Sequence, residues 1–130
     1  MRTKGQIEAE ISEAVIRFEK EYMGRGPLET KTYILDDMVL VRLRGVLTQA
    51  EHQLASAEDD SRGRELIKQV RIALLEKGRA LLEKDIEAIT ERKVLSLHTD
   101  ISTTTGERMI LFTLDRPPDS RPARTEPNGA

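Results

Sequence analysis

The spacing of apolar and polar residues changes several times along the chain, and each change marks a new element. From Lys4 to Gly24, Ile7, Ile11, Ala14, Val15, Phe18 and Tyr22 recur at helical spacing. Glu8, Glu10, Glu13, Arg17, Glu19, Lys20 and Glu21 make up most of the polar remainder. Gly24 can end the helix in the left-handed region, and Pro27 blocks its continuation. The pattern then shifts to alternation over Thr30–Leu35 and Met38–Arg44, with a turn at Asp36-Asp37. Thr48 to Glu51 forms a capping box for a short helix to about residue 57. Glu58 to Gly63 is a polar break, with Asp60 or Ser61 as the next cap. A long helix follows to about Arg92. Ile67, Val70, Leu74, Leu81 and Ile89 form its stripe, widened by Leu66, Ala73, Leu82 and Ile86. Strand patterning returns over Val94–Asp115, interrupted at Thr103–Gly106 so that Ser102 faces Glu107.

The order α-ββ-αα-ββ predicts one α+β domain over residues 1–115. It has a four-stranded antiparallel sheet built from two β-hairpins, with helices packed on one face. In the first hairpin Ile34, Val39, Val41 and Leu43 are expected in the core. In the second, Leu95, Leu97, Ile101, Ile110, Phe112 and Leu114 are, with Phe112 central. The opposite face of the first hairpin carries Tyr33, Leu35, Met38 and Leu40 beside Lys31, Arg42 and Arg44. That mixture is unusual for a free surface. A helix of some thirty residues would reach ~45 Å, longer than a small domain is wide. It is expected either to bend near Gly78 or to pack on another subunit. A homodimer is therefore expected, with Tyr33, Leu35, Met38, Leu40, Leu66, Val70 and Leu74 at its interface.

Composition narrows the function classes. The 130 residues are 38% hydrophobic and 34% charged, with a net charge of −2 and no cysteine. The charge gives no field favouring nucleic acid or an anionic membrane, and four Phe and Tyr together leave little for base stacking. Without cysteine there is no disulfide, thiolate metal site or cysteine nucleophile. No apolar run approaches the ~18 residues of a membrane helix, and the acidic N-terminus lacks the apolar centre of a signal peptide. From Arg116 to Ala130 the chain turns polar and proline-rich, which predicts a disordered, dispensable tail.

His98, Asp100 and Ser102 share one strand face, but same-face neighbours lie ~6.5–7 Å apart. That is too far for a relay of short side chains, and there is no nucleophile elbow. The face suits a solvated sheet surface or a polar ligand or partner surface. His52 and His98 are the only histidines and lack metal-ligand spacing, so no metal or cofactor is expected. Gly24-Arg25-Gly26-Pro27 follows a helix instead of preceding one. It reads as a cap and turn, with Arg25 available to an anion.

Four segments together, IEAEISEAVIRFEKEYMGRGP, YILDDMVLVRLRGVLT, GRELIKQVR and LHTDISTTTGERMILFTLD, resemble the MpsC-like domain family over about residues 4–115. The family takes its name from the third member of a bacterial sodium-translocating, membrane-potential-generating system. Related genes sit beside membrane components linked to inorganic-carbon uptake. The resemblance implies a non-enzymatic cytoplasmic accessory or regulatory subunit. It would lie peripheral to the inner membrane face through transporter subunits, without inserting. It brings no catalytic set. The motif positions Gly24, Arg25, Gly26, Pro27, His98, Asp100, Ser102, Thr104, Gly106 and Glu107 are candidates for binding a ligand or partner. The other function classes to weigh are a small-ligand or anion-binding sensor and a hydrolase working on the polar sheet face.

Overall fold

The computed structural model describes residues 1–56 and 62–121. The elements run α1 (Lys4–Met23), β1 (Glu29–Leu35), β2 (Met38–Arg44), α2 (Gln49–Ala55), α3 (Arg62–Thr90), β3 (Val94–Ile101) and β4 (Arg108–Leu114). The strands form one antiparallel sheet in the order β1-β2-β4-β3, as the α+β reading expected. Residues 58–61 of the expected polar break, with both proposed caps, lie outside the described residues.

Period-2 alternation sets the sheet. Leu35 faces Met38 across a two-residue turn in which Asp36 takes φ 59°. The Ser102 N–H donates to the Glu107 carbonyl at 2.8 Å, which fixes the second hairpin in the expected register. Val39, Val41, Leu43, Ile110, Phe112 and Leu114 are buried on the inner face with Ile7, Ile11, Val15 and Phe18 of α1 and Ile67, Leu75, Leu82 and Ile86 of α3. Helices thus cover one face. Leu95 departs from its expected core position. The ladder slips between Val94 and Ser96, so Leu95 is bulged out and 68% exposed, while Val94 packs against the core in its place.

Helix α3 also differs from its expected face. Its buried line is Ile67, Arg71, Leu75, Gly78, Leu82, Ile86 and Thr90. Leu66, Val70 and Leu81 are exposed. Leu74, expected at a subunit interface, is half-buried against the chain's own core. The helix is unbroken at Gly78. That glycine serves close approach: a Cβ there would stand 2.4 Å from Phe18 Cε2 and 3.1 Å from Tyr22 Cζ. The surplus length meets α2, where a Cβ on Gly63 would lie 2.3 Å from the Leu54 carbonyl oxygen.

The start of the expected disordered tail is held. Arg121 N–H donates to the Arg2 carbonyl at 2.9 Å, Arg92 Nε donates to the Pro117 carbonyl at 2.9 Å, and Arg92 pairs with Asp119 at 3.1 Å. Residues 122–130 lie outside the described residues.

Gly78→Ala sets two effects against each other. Helix propensity favours alanine by ~1 kcal/mol. Overpacking against the Phe18–Tyr22 stack, whose centroids are 4.8 Å apart, costs roughly 1–3 kcal/mol. A net loss of stability in urea unfolding is expected, and a stabilised variant would contradict the close crossing.

Candidate functional site

Three loops meet at one end of the molecule. The first, Gly24 to Pro27, leaves α1 through Gly24 at φ 89°. The second, Gly45 to Thr48, joins β2 to α2. The third is the turn from Ser102 to Glu107, where Gly106 takes φ 76°. Arg25 Nη1 donates to the Leu47 carbonyl at 3.3 Å, and the Val46 N–H donates to the Gly106 carbonyl at 3.1 Å. The middle loop is therefore a hub to which the other two attach.

A buried ion network lies beneath the hub. Glu19 of α1, Arg71 of α3 and Arg108 of β4 are all nearly inaccessible. Arg71 Nη2 donates to the Val46 carbonyl at 2.8 Å and to Glu51 Oε1 at 2.6 Å, while its Nε donates to Glu51 Oε2 at 2.9 Å. Glu51 also closes the capping box of α2 by accepting from the Thr48 N–H at 2.9 Å. The Glu19 carboxylate faces Arg71 Nη1 at 3.8 Å and Arg108 Nη1 at 3.7 Å, beyond ordinary hydrogen-bond reach. Burial pushes the Glu19 carboxyl above its usual range, against the pull of Arg108 and Arg71. Burial also lowers Arg108, opposed by Glu19. At Glu51 burial acts upward, but the hydrogen bonds from Arg71 and Thr48 outweigh it and hold the carboxyl below its usual range.

The β3–β4 turn separates two open clefts. One, of about 300 Å³, is lined by His52, Ala55, Ser56, Arg64, Thr103 and Thr104. The other, of about 340 Å³, is lined by Lys68, Asp100, Ile101, Ser102, Thr103, Thr104, Glu107 and Met109. Three hydroxyls, His52 and Arg64 line the first, while the second mixes Lys68 with two carboxylates. Among the described residues no group of three His, Cys, Asp or Glu side chains could hold a metal ion. No helix among them is long and apolar enough to cross a membrane.

A family model described as the Na+-translocating membrane potential-generating system (MpsC) matches residues 3–116. The chain belongs to the MpsC family. The uncharacterized protein YbcI of Bacillus subtilis (strain 168) is 45% identical over 113 residues, covering 87% of this chain and 89% of that protein. No solved structure matches the chain.

In this MpsC-family chain the sequence candidates divide into two groups. Arg25 and Gly106 attach to the hub, each within its own loop: Gly24, Gly26 and Pro27 flank Arg25, and Ser102 and Thr104 belong to the turn that ends at Gly106. His98 and Asp100 lie on the exposed outer face of β3. His98 Nε2 reaches Ser96 Oγ at 3.1 Å, because the long imidazole spans the same-face gap that shorter side chains cannot. Asp100 accepts from the Ile101 N–H at 2.9 Å and pairs with Lys68 at 3.5 Å. Ser102 Oγ accepts from the Thr105 N–H at 3.2 Å, so the three side chains do not form a relay. Glu107 pairs with Arg42 at 2.7 Å and Arg44 at 3.8 Å. Sequence reasoning placed Glu19 with the polar remainder and passed over Arg71 and Arg108. A signal was present. Glu19 lies four residues from Val15 and Met23, Arg71 four from Ile67 and Leu75, and Arg108 alternates with Ile110 and Phe112. Each charge therefore falls on a buried line.

The two glutamates act on stability with opposite signs. Glu19 protonates at higher pH when folded than when unfolded. Its contribution to stability is full below the ordinary carboxylate range and falls as pH rises through the raised folded value. The Glu51 contribution is full above that range and is lost as pH falls through its depressed folded value. Urea unfolding across pH should therefore show a decline above the ordinary carboxylate range that Glu19→Gln removes and an acid limb that Glu51→Gln removes. Unchanged slopes in both variants would contradict these assignments.

Proposed function

We propose that this chain is a non-enzymatic cytoplasmic accessory or regulatory subunit of a membrane sodium/bicarbonate transport system that generates membrane potential. Membership of a family described as a sodium-translocating, potential-generating system supports the setting. The observation that carries the accessory role is the convergence of Gly24–Pro27, Gly45–Thr48 and Ser102–Glu107 into one braced end. Such an end suits docking, since a surface held in place before binding loses little entropy on contact. The chain works as a homodimer and reaches the inner membrane face through a protein partner. It neither inserts in the bilayer nor binds nucleic acid. Pairing of Arg42 and Arg44 with Glu107 and Glu29 fits the last point, because these cations are already partly neutralised.

A second reading, an anion-binding sensor, draws on the cleft where His52 and Arg64 stand beside Ser56, Thr103 and Thr104. Its mark would be a rise in melting temperature with bicarbonate, phosphate or a nucleotide. The accessory reading is tested by affinity capture from solubilised membranes, using wild type and Thr104→Arg. Thr104 is exposed, so the variant should melt like wild type while losing co-purified integral membrane proteins. Equal recovery of the same membrane proteins with a folded Thr104→Arg would overturn docking at this end. An anion-dependent melting shift without membrane partners would favour the sensor.

A further inference from the structure

The outer face of the sheet has its own charge layout. Along β1, β2, β4 and β3, one row reads Lys31, Arg42, Met109 and Asp100, and the next reads Tyr33, Leu40, Leu111 and His98. Leu35 and Met38 continue the apolar centre toward the β1–β2 turn, where they are 47% and 36% exposed. At the other end Arg44 of β2 stands beside Glu107, the residue preceding β4. Lys31, Arg42 and Arg44 thus occupy the β1–β2 half, with Glu29 beside Arg44, and Asp100 and Glu107 the β4–β3 half, where Glu107 also pairs with Arg42 and Arg44 and Asp100 with Lys68 of the same chain. Tyr33, Leu40 and Leu111 run between them.

We propose that this face binds a second copy of the chain about a two-fold axis parallel to the strands. The proposal rests on the homodimeric reading above and assigns its surface. A two-fold axis in that direction lays each β1 over the partner's β3. Lys31 then faces Asp100 of the partner subunit, Arg44 faces Glu107 of the partner subunit, Leu40 faces Leu111 of the partner subunit, and Tyr33 faces His98 of the partner subunit. The other in-plane axis, perpendicular to the strands, would set Leu35 and Met38 against the rows of charge. It would bury Arg44, Glu29 and Glu107 with only the pairs they already make within the chain, and it would bring Lys31 no carboxylate. Two aligned sheet faces pack ~10 Å apart with strands within ~30° of each other, close enough for the long Lys and Arg side chains to span. Complementary charge therefore selects this occupant and this axis. The exposed Leu66 and Val70 of α3 lie opposite that helix's buried line and take no part.

The test is sedimentation equilibrium of wild type, Lys31→Glu, Asp100→Lys, an equimolar mixture of the two variants, and Leu66→Glu. Wild type should run at twice 14.7 kDa at tens of micromolar. Each single reversal puts two like-charge contacts in its homodimer and should weaken association about tenfold or more. The mixture should restore it. In the mixed dimer the carboxylate introduced by Lys31→Glu meets the ammonium introduced by Asp100→Lys, and the second site keeps its native pair. Leu66→Glu should leave association unchanged. A wild type that stays at 14.7 kDa would overturn the homodimer itself. A dimer indifferent to both reversals, or one broken by Leu66→Glu, would keep the homodimer and overturn this face and axis.

Discussion

The positioning of the loop end depends on one buried guanidinium. Arg71 reaches from the middle of α3 to the Val46 carbonyl and to both oxygens of Glu51, and it stands 3.8 Å from Glu19. Through these contacts α1, α3 and the β2–α2 loop are referred to a single side chain. Arg108 adds the sheet, donating to Thr99 Oγ1 at 3.2 Å and facing Glu19 at 3.7 Å. Charges taken out of water are expensive, and a well-packed apolar set is often as stable as a buried ion pair. The contribution of the network is therefore geometric: it fixes where Gly45–Thr48 lies, and with it Arg25 on one side and Gly106 on the other.

The sheet supplies a rigid frame for that end because its inner face is closed by helices. At Gly78 the absence of a side chain lets α3 approach the stacked rings of Phe18 and Tyr22. That approach sets the spacing of α3 from α1, and Arg71, seven residues earlier on α3, reaches the Val46 carbonyl. The first edge strand is also covered, since the Ile34 N–H donates to Glu8 of α1 at 2.8 Å. Nothing in the described chain covers the outer face. A single layer of helices over an antiparallel sheet leaves that face for water or a partner.

Hairpin alternation was open to reading from sequence because its period is 2 and each hairpin turn is short. The inner positions Ile34, Val39, Val41, Ile110 and Phe112 followed from it, and so did the Ser102–Glu107 register. Leu95 was hidden by the slip in the ladder, which alternation cannot register. On α3 the apolar residues cover more than half of the circumference. Periodicity alone could not tell the core line of Ile67, Leu75 and Leu82 from the exposed Leu66, Val70 and Leu81. Glu19, Arg71 and Arg108 sat on core lines, but charge argued against burial until a partner of opposite sign was visible. The meeting of the loops around Val46 is tertiary, spanning residues 24 to 107, so no local pattern announces it.

Hydrogen exchange on wild type and Arg71→Leu measures the positioning role most directly. The substitution leaves the Val46 carbonyl and Glu51 without their shared donor, at a cost of roughly 3–5 kcal/mol if the pair is broken. The Val46 and Gly106 amides should lose protection well beyond the global change, while the sheet amides of Val41 and Ile110 follow global stability alone. Equal loss at all four amides, or unchanged protection at Val46, would contradict a network that holds the loop end in place.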